Sequence, residues 1–219
     1  MIDEFANIVP KALYPISGSV FYSGRAAFAL PAPVYVLGLN PGGDPDQQKT
    51  DTIGRQIDFV QGETPSNWSA YSDESWGGRP PGMATFQRRV LHLFERLGSD
   101  PRRTPSSNLF FTRSRRLATL EGNWVDHADA CWEFHRAVIS SLQPRVVVCL
   151  GISTGDDVCR RTGADRLVKS FKEQNSRCWV STLHANRDGL LVASLTHPSI
   201  AAWTTKACDP SLLFSDLRL

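Results

Sequence analysis

Two apolar runs far apart in the chain end in the same kind of polar turn. Val34-Tyr35-Val36-Leu37 runs into Gly38-Leu39-Asn40-Pro41-Gly42-Gly43, and Leu190-Leu191-Val192-Ala193-Ser194-Leu195 runs into Thr196-His197-Pro198-Ser199. Short apolar runs without alternation are expected of strands covered on both faces. A strand ending this way delivers a polar side chain to the carboxyl edge of a sheet, which is where open α/β sheets bind ligands. Gly42 and Gly43, having no Cβ, let a ligand lie close against the backbone there.

The rest of the chain fits around these runs. Strands are expected at about 34–39, 106–111, 145–150 and 190–196, the third (Val146-Val147-Val148-Cys149-Leu150) being continuously apolar. Helical spacing places Phe86, Val90, Leu93, Phe94 and Leu97 on one face of 84–97, stopped by Gly98. It places Ala130, Phe134, Ala137, Val138 and Leu142 on one face of 126–142, closed by Pro144. A third helix is expected from Ser153 or Thr154, and a last one over 209–217. Asn186-Arg187-Asp188-Gly189 predicts a turn pairing a short strand at 178–183 with the final one. Alternating strands and helices give a three-layer α/β/α sandwich around a mainly parallel four-stranded sheet, one domain spanning 1–219. Segment 41–83, rich in Gly, Pro, Ser and Asp with scattered aromatics, is either a binding wall or a surface excursion.

Composition removes several function classes. Five widely spread cysteines with no Cys-x-x-Cys pair signal neither a disulfide framework nor a metal ribbon. His127, Cys131 and His135 share a helix face, but amphipathic helices produce that spacing routinely, and no metal is expected. No run is long enough to span a bilayer and no signal peptide opens the chain, so a cytoplasmic protein is expected. Net charge is only +2, yet 19 of the 24 basic residues are Arg, the better bidentate phosphate ligand.

With Gly38-Leu39-Asn40-Pro41-Gly42, Ser107-Asn108-Leu109-Phe110-Phe111-Thr112-Arg113 and His197-Pro198-Ser199-Ile200 in this order and separation, the sequence resembles the uracil-DNA glycosylase superfamily. It is nearest the mismatch-specific and single-strand-selective branches, which share the Gly-x-Asn-Pro-Gly motif. The resemblance covers about residues 30–205. It implies a DNA glycosylase, a monomer acting on single-stranded or mismatched DNA in base excision repair. Asn40 would position the attacking water, since an amide cannot deprotonate it. His197 would donate to the uracil O2 as negative charge develops. Asn108 would read the base edge, with Gly38 and Leu39 beside it. The family stacks the base on an aromatic just after the first motif; here Gly43-Asp44-Pro45-Asp46 follows instead. Phe59 is the substitute candidate, with Tyr71 or Trp76 behind it.

DNA contacts implied by the resemblance fall on Pro41, Gly42, Gly43, Pro198, Ser199 and Ile200, with Ile200 or Trp203 as a wedge; the alternative, favoured for Trp203, is that residues 200–203 simply start the packing of the last helix. Arg113, Arg115 and Arg116 leave the second strand on the cleft side as phosphate clamps, whereas Arg102 and Arg103 precede that strand and belong at the other end of the sheet. Some branches carry an iron–sulfur cluster begun by cysteines before the first motif; no cysteine precedes Cys131 here, and no cofactor is expected. None of the five lysines falls in a matching motif, so water attack without a Schiff base is expected. Two other classes stay open: a divergent member that binds nucleic acid or a nucleotide without cleaving it, and an unrelated Rossmann-like domain holding a phosphorylated ligand at Gly42-Gly43.

Overall fold

The computed structural model describes residues 1–29, 31–63, 65–115 and 124–217. Among them are helices α1 (Ile2–Ile8), α2 (Ile53–Asp58), α3 (Ala70–Asp73), α4 (Thr85–Arg96), α5 (Trp124–Leu142) and α6 (Ile152–Thr162). The strands are β1 (Val34–Gly38), β2 (Ser106–Asn108), β3 (Val146–Leu150), β4 (Arg166–Lys172), β5 (Val180–Ala185) and β6 (Leu191–Leu195). They form one sheet in the order β2-β1-β3-β6-β5-β4. The first four run parallel, β5 pairs antiparallel with β6, and β4 pairs antiparallel with β5.

Among the described residues the sheet thus has six strands, not four. The hairpin through Asn186–Gly189 forms as the turn residues predict, and β4 extends it outward. Strand β4 is exposed along most of its length, carries Arg166, Lys169 and Lys172, and lacks a buried face. Such charged exposure suits an edge strand and hides it from an apolar-pattern search. The expected last helix is a shorter 3₁₀ turn, Pro210–Phe214, capped by Asp209 on the Ser211 N–H. Segment 41–83 carries α2, α3 and a π turn at Phe59–Glu63.

Side-chain alternation along the strands builds two cores. Tyr35, Leu37, Val147, Cys149 and Val192 face α1 and α5, together with Phe5, Phe134 and Val138. Val34, Val36, Val148, Leu150 and Leu195 face α4 and the C-terminal turn, together with Leu93, Phe94, Trp203 and Phe214. Each such side chain, fully buried, contributes about 1.5–3 kcal/mol. The molecule is therefore α/β with cover on both faces of the sheet. No described helix is long and apolar enough to cross a membrane.

The N-terminal segment closes the β2 edge. Phe21 bridges Ser107 and Gly18 bridges Thr112, both antiparallel, and the Tyr22 N–H donates to the Ser106 carbonyl at 2.9 Å. Phe21 meets Phe28 and Phe134 edge to face at 5.3 and 5.5 Å. That packing fixes where Tyr22, the next residue, emerges.

His135 is structural. Buried in α5, its Nδ1 lies 2.8 Å from the Tyr35 hydroxyl and its Nε2 3.3 Å from the Leu109 carbonyl. Burial brings its pKa down to about 4. A neutral ring accepting from Tyr35 and donating to Leu109 satisfies both nitrogens. Cys131 is buried beside it, and the His127 side chain lies outside the described residues.

Candidate active-site cleft

The parallel register aligns the strand tips. Gly38 pairs with Asn108, and Leu150 with Leu195, so Asn40 and His197 each follow a strand end by two residues. Asn40, Asn108 and His197 all line one cleft of about 990 Å³ at the carboxyl edge of the sheet. Gly38, Leu39, Gly42, Gly43, Phe59, Arg113, Arg115 and Ser199 line it as well.

Asn40 is oriented by its own amide. Its Nδ2 donates to the Pro41 carbonyl at 2.9 Å, the Ser114 hydroxyl at 3.0 Å and the Ser114 carbonyl at 3.3 Å. Two carbonyl partners require the NH₂ on that side. The Oδ1, an acceptor, is left without a partner among the described residues. Pro41 therefore serves through its carbonyl, which also accepts from the Ser114 N–H at 3.2 Å.

Asn108 is 4% exposed, and its side chain lies across β1. A Cβ on Gly38 would fall 2.1 Å from the Asn108 Oδ1, so only glycine leaves room. The nearby Tyr22 phenol is buried, which pushes its pKa up to about 12. The Asn108 Nδ2 has no hydrogen-bond partner among the described residues. An unmatched buried donor costs about 1–3 kcal/mol, a cost a bound acceptor removes.

His197 has a readable tautomer. The Ser199 backbone N–H, which can only donate, points at Nδ1 from 3.2 Å, and the Ser199 hydroxyl lies 2.6 Å from the same atom. Nδ1 is thus an acceptor, and the neutral ring carries its proton on Nε2. Partial burial lowers the His197 pKa below the ordinary histidine value, favouring that neutral form. The turn is braced by Arg89, which donates to the Pro198 carbonyl at 2.6 Å, and by the Ile200 and Ala201 N–H groups on the His197 carbonyl.

The glycine-rich loop is held from below. Gly43 has φ +114° and a Cβ there would meet the Gln48 side chain at 2.0 Å, while a Cβ on Gly42 would meet nothing within 4 Å. Arg113 donates to the Gly42 carbonyl at 2.5 Å and to the Ser17 hydroxyl at 3.1 Å, so it fixes the loop before it meets any ligand. Arg115 is paired with Asp44, which holds that carboxyl below its ordinary range. Arg116 lies outside the described residues.

Other expected site residues are distributed differently. Ile200 is half exposed and lines a separate cavity of about 340 Å³ on the other side of His197, beside Trp179 and Ile152. Pro198 is buried and acts only through its carbonyl. Trp203 is fully buried in the second core, so it is no wedge. Tyr71, though buried, borders the main cleft as expected and packs among Tyr22, Trp76 and Phe86. Cleft residues that the sequence does not single out include Ser114, Tyr22, Glu74 and Phe86, the last lying 5.6 Å from the His197 ring, centroid to centroid. Phe86 carried a helical signal but was assigned to the core; Tyr22 and Glu74 carried none.

No group of metal-ligating side chains occurs among the described residues. Compared with known protein families and with characterised proteins, the chain matches none.

Proposed function

We propose that the protein is a monofunctional DNA glycosylase that hydrolyses the N-glycosidic bond of uracil or a related deaminated base, with the sandwich being of the uracil-DNA glycosylase type. The observation that carries this reading is the meeting of Asn40, Asn108 and His197 in one cleft, each with a free valence of the required kind. Asn40 offers an acceptor for water, His197 an N–H donor for an anionic oxygen, and Asn108 an unmatched donor for a base carbonyl.

Cleavage leaves positive charge on the sugar and negative charge on the departing base. A preset N–H from a neutral imidazole stabilises the latter without a proton transfer. Water held by the Asn40 Oδ1 gains from orientation. The rings of Tyr22, Phe59 and Trp76 supply stacking surface for an extruded base. Gly42 and Gly43 offer backbone contacts to the strand, while the Ser199 hydroxyl is spent on the His197 Nδ1. Arg113 adds positive charge along the same wall, while the charge of Arg115 is offset by Asp44.

The test uses uracil in a single strand and in a G·U duplex, followed by alkali to reveal abasic sites. Cleavage by the wild type that is lost in N40A and H197A supports the enzyme. Salt-sensitive binding with no cleavage replaces it with a non-cleaving binder, and no DNA affinity removes both.

A further inference from the structure

The three strand-tip residues leave one chemical need unmet. None is anionic at neutral pH, so nothing among them opposes the positive charge that builds on the sugar, and none can take a proton from water. One carboxylate borders the same cleft without being spent elsewhere. Glu74 follows α3 and is fixed from two sides: its Oε2 accepts the Trp76 indole N–H at 2.8 Å, and its backbone carbonyl accepts from the buried Gln87 amide at 2.8 Å. Its Oε1 has no partner among the described residues. The other cleft carboxylate, Asp51, is exposed, where charge is well screened.

The charged neighbours of Glu74 locate it. It interacts with Arg113, whose guanidinium holds the Gly42 carbonyl two residues from Asn40. It also acts on the Tyr22 phenol. Glu74 therefore borders the cleft near Arg113, which braces the loop after Asn40, and near Tyr22. Its neighbour Asp73, the remaining charge acting on it, is paired with Arg102.

We propose that Glu74 is the catalytic carboxylate of this cleft, accepting the proton of the water that Asn40 positions and opposing the charge on the sugar. This rests on the glycosylase reading. The water oxygen bonds to C1′ as the C1′–N bond breaks, and that bond's electron pair leaves with the base as an anion held by the His197 Nε2–H. The water's proton passes to the Glu74 Oε1, giving an abasic sugar hydroxyl, and the neutral carboxyl returns its proton to solvent. Burial, outweighing Arg113, raises the Glu74 pKa above the ordinary carboxylate range, which brings a base closer to its working pH.

The experiment measures kcat/KM for base release from a uracil-containing single strand, from acid to alkaline pH, for wild type, E74Q and E74D. E74Q keeps an acceptor for Trp76, so its melting temperature and KM stay near wild type while kcat falls about a hundredfold and the acid limb of the profile flattens. E74D, charged but shorter, retains part of the rate. A wild-type rate in E74Q, or an acid limb that persists there and so belongs to His197, overturns the role of Glu74 and leaves the glycosylase standing. No base release by the wild type overturns both.

Discussion

Replacing Gly38 with alanine inserts one methyl group into a defined contact. The new Cβ falls 2.1 Å from the Asn108 Oδ1, whereas ordinary contacts begin at 3.4 Å. The amide must therefore retreat by 1.3 Å, the difference between the two distances. Asn108 is buried, so the retreat strains a packed neighbourhood at about 1–3 kcal/mol. A displacement near 1 Å in a positioning group costs about a hundredfold in rate. G38A should thus unfold at lower urea concentration by that stability loss, and should lose about two orders of magnitude in kcat/KM for uracil. Its preference for uracil over cytosine should narrow alongside. Urea titration and single-turnover base release on paired oligonucleotides measure both. A G38A protein with wild-type rate and preference would refute the claim that Gly38 exists to seat Asn108.

Three further outcomes are expected. S199A removes the hydroxyl at the His197 Nδ1 but keeps the backbone N–H that sets the tautomer, so turnover should fall less than tenfold; complete loss would mean the hydroxyl itself does the work. D44A releases Arg115, so single-strand affinity should rise at low salt, and the slope of log affinity on log salt should steepen by about 0.7 for one added phosphate contact, as read by fluorescence anisotropy. His135 titrates near 6.5 when unfolded but at about 4 when buried, so the unfolded chain binds the extra proton between those values. Its contribution is complete above pH 6.5 and is lost as pH falls toward 4, about 3 kcal/mol in all. Urea midpoints measured across that window should show the decline.

The sequence exposes what is buried and periodic. Strands β1 and β3 are apolar throughout and β6 is so apart from Ser194, because both faces are covered, and the polar tips of β1 and β6 single out Asn40 and His197 directly. Asn108 is legible only beside them, since a lone Asn at a strand end is usually structural. Strand β4 is missed because Leu167 and Val168 are exposed among charges, a pattern no core demands. Tyr22 enters the cleft through bridges to β2 that join residues about 85 positions apart in the chain. Glu74 arrives from a four-residue helix within a loop-like segment. Arg115 reads as a free cation until folding brings Asp44 against it from 71 residues away. Trp203, an aromatic beside a motif, is buried and serves packing alone, the reading its place before the C-terminal turn favours.

The most direct measurement is chromatographic identification of the small molecule freed from a uracil-containing single strand, by wild type and by N40A and H197A. Free uracil and an intact abasic strand from the wild type, with at least a hundredfold loss in each variant at unchanged DNA affinity, is the predicted result. Absence of any freed base, or release that survives both substitutions, would contradict the shared pocket as a site of glycosidic hydrolysis.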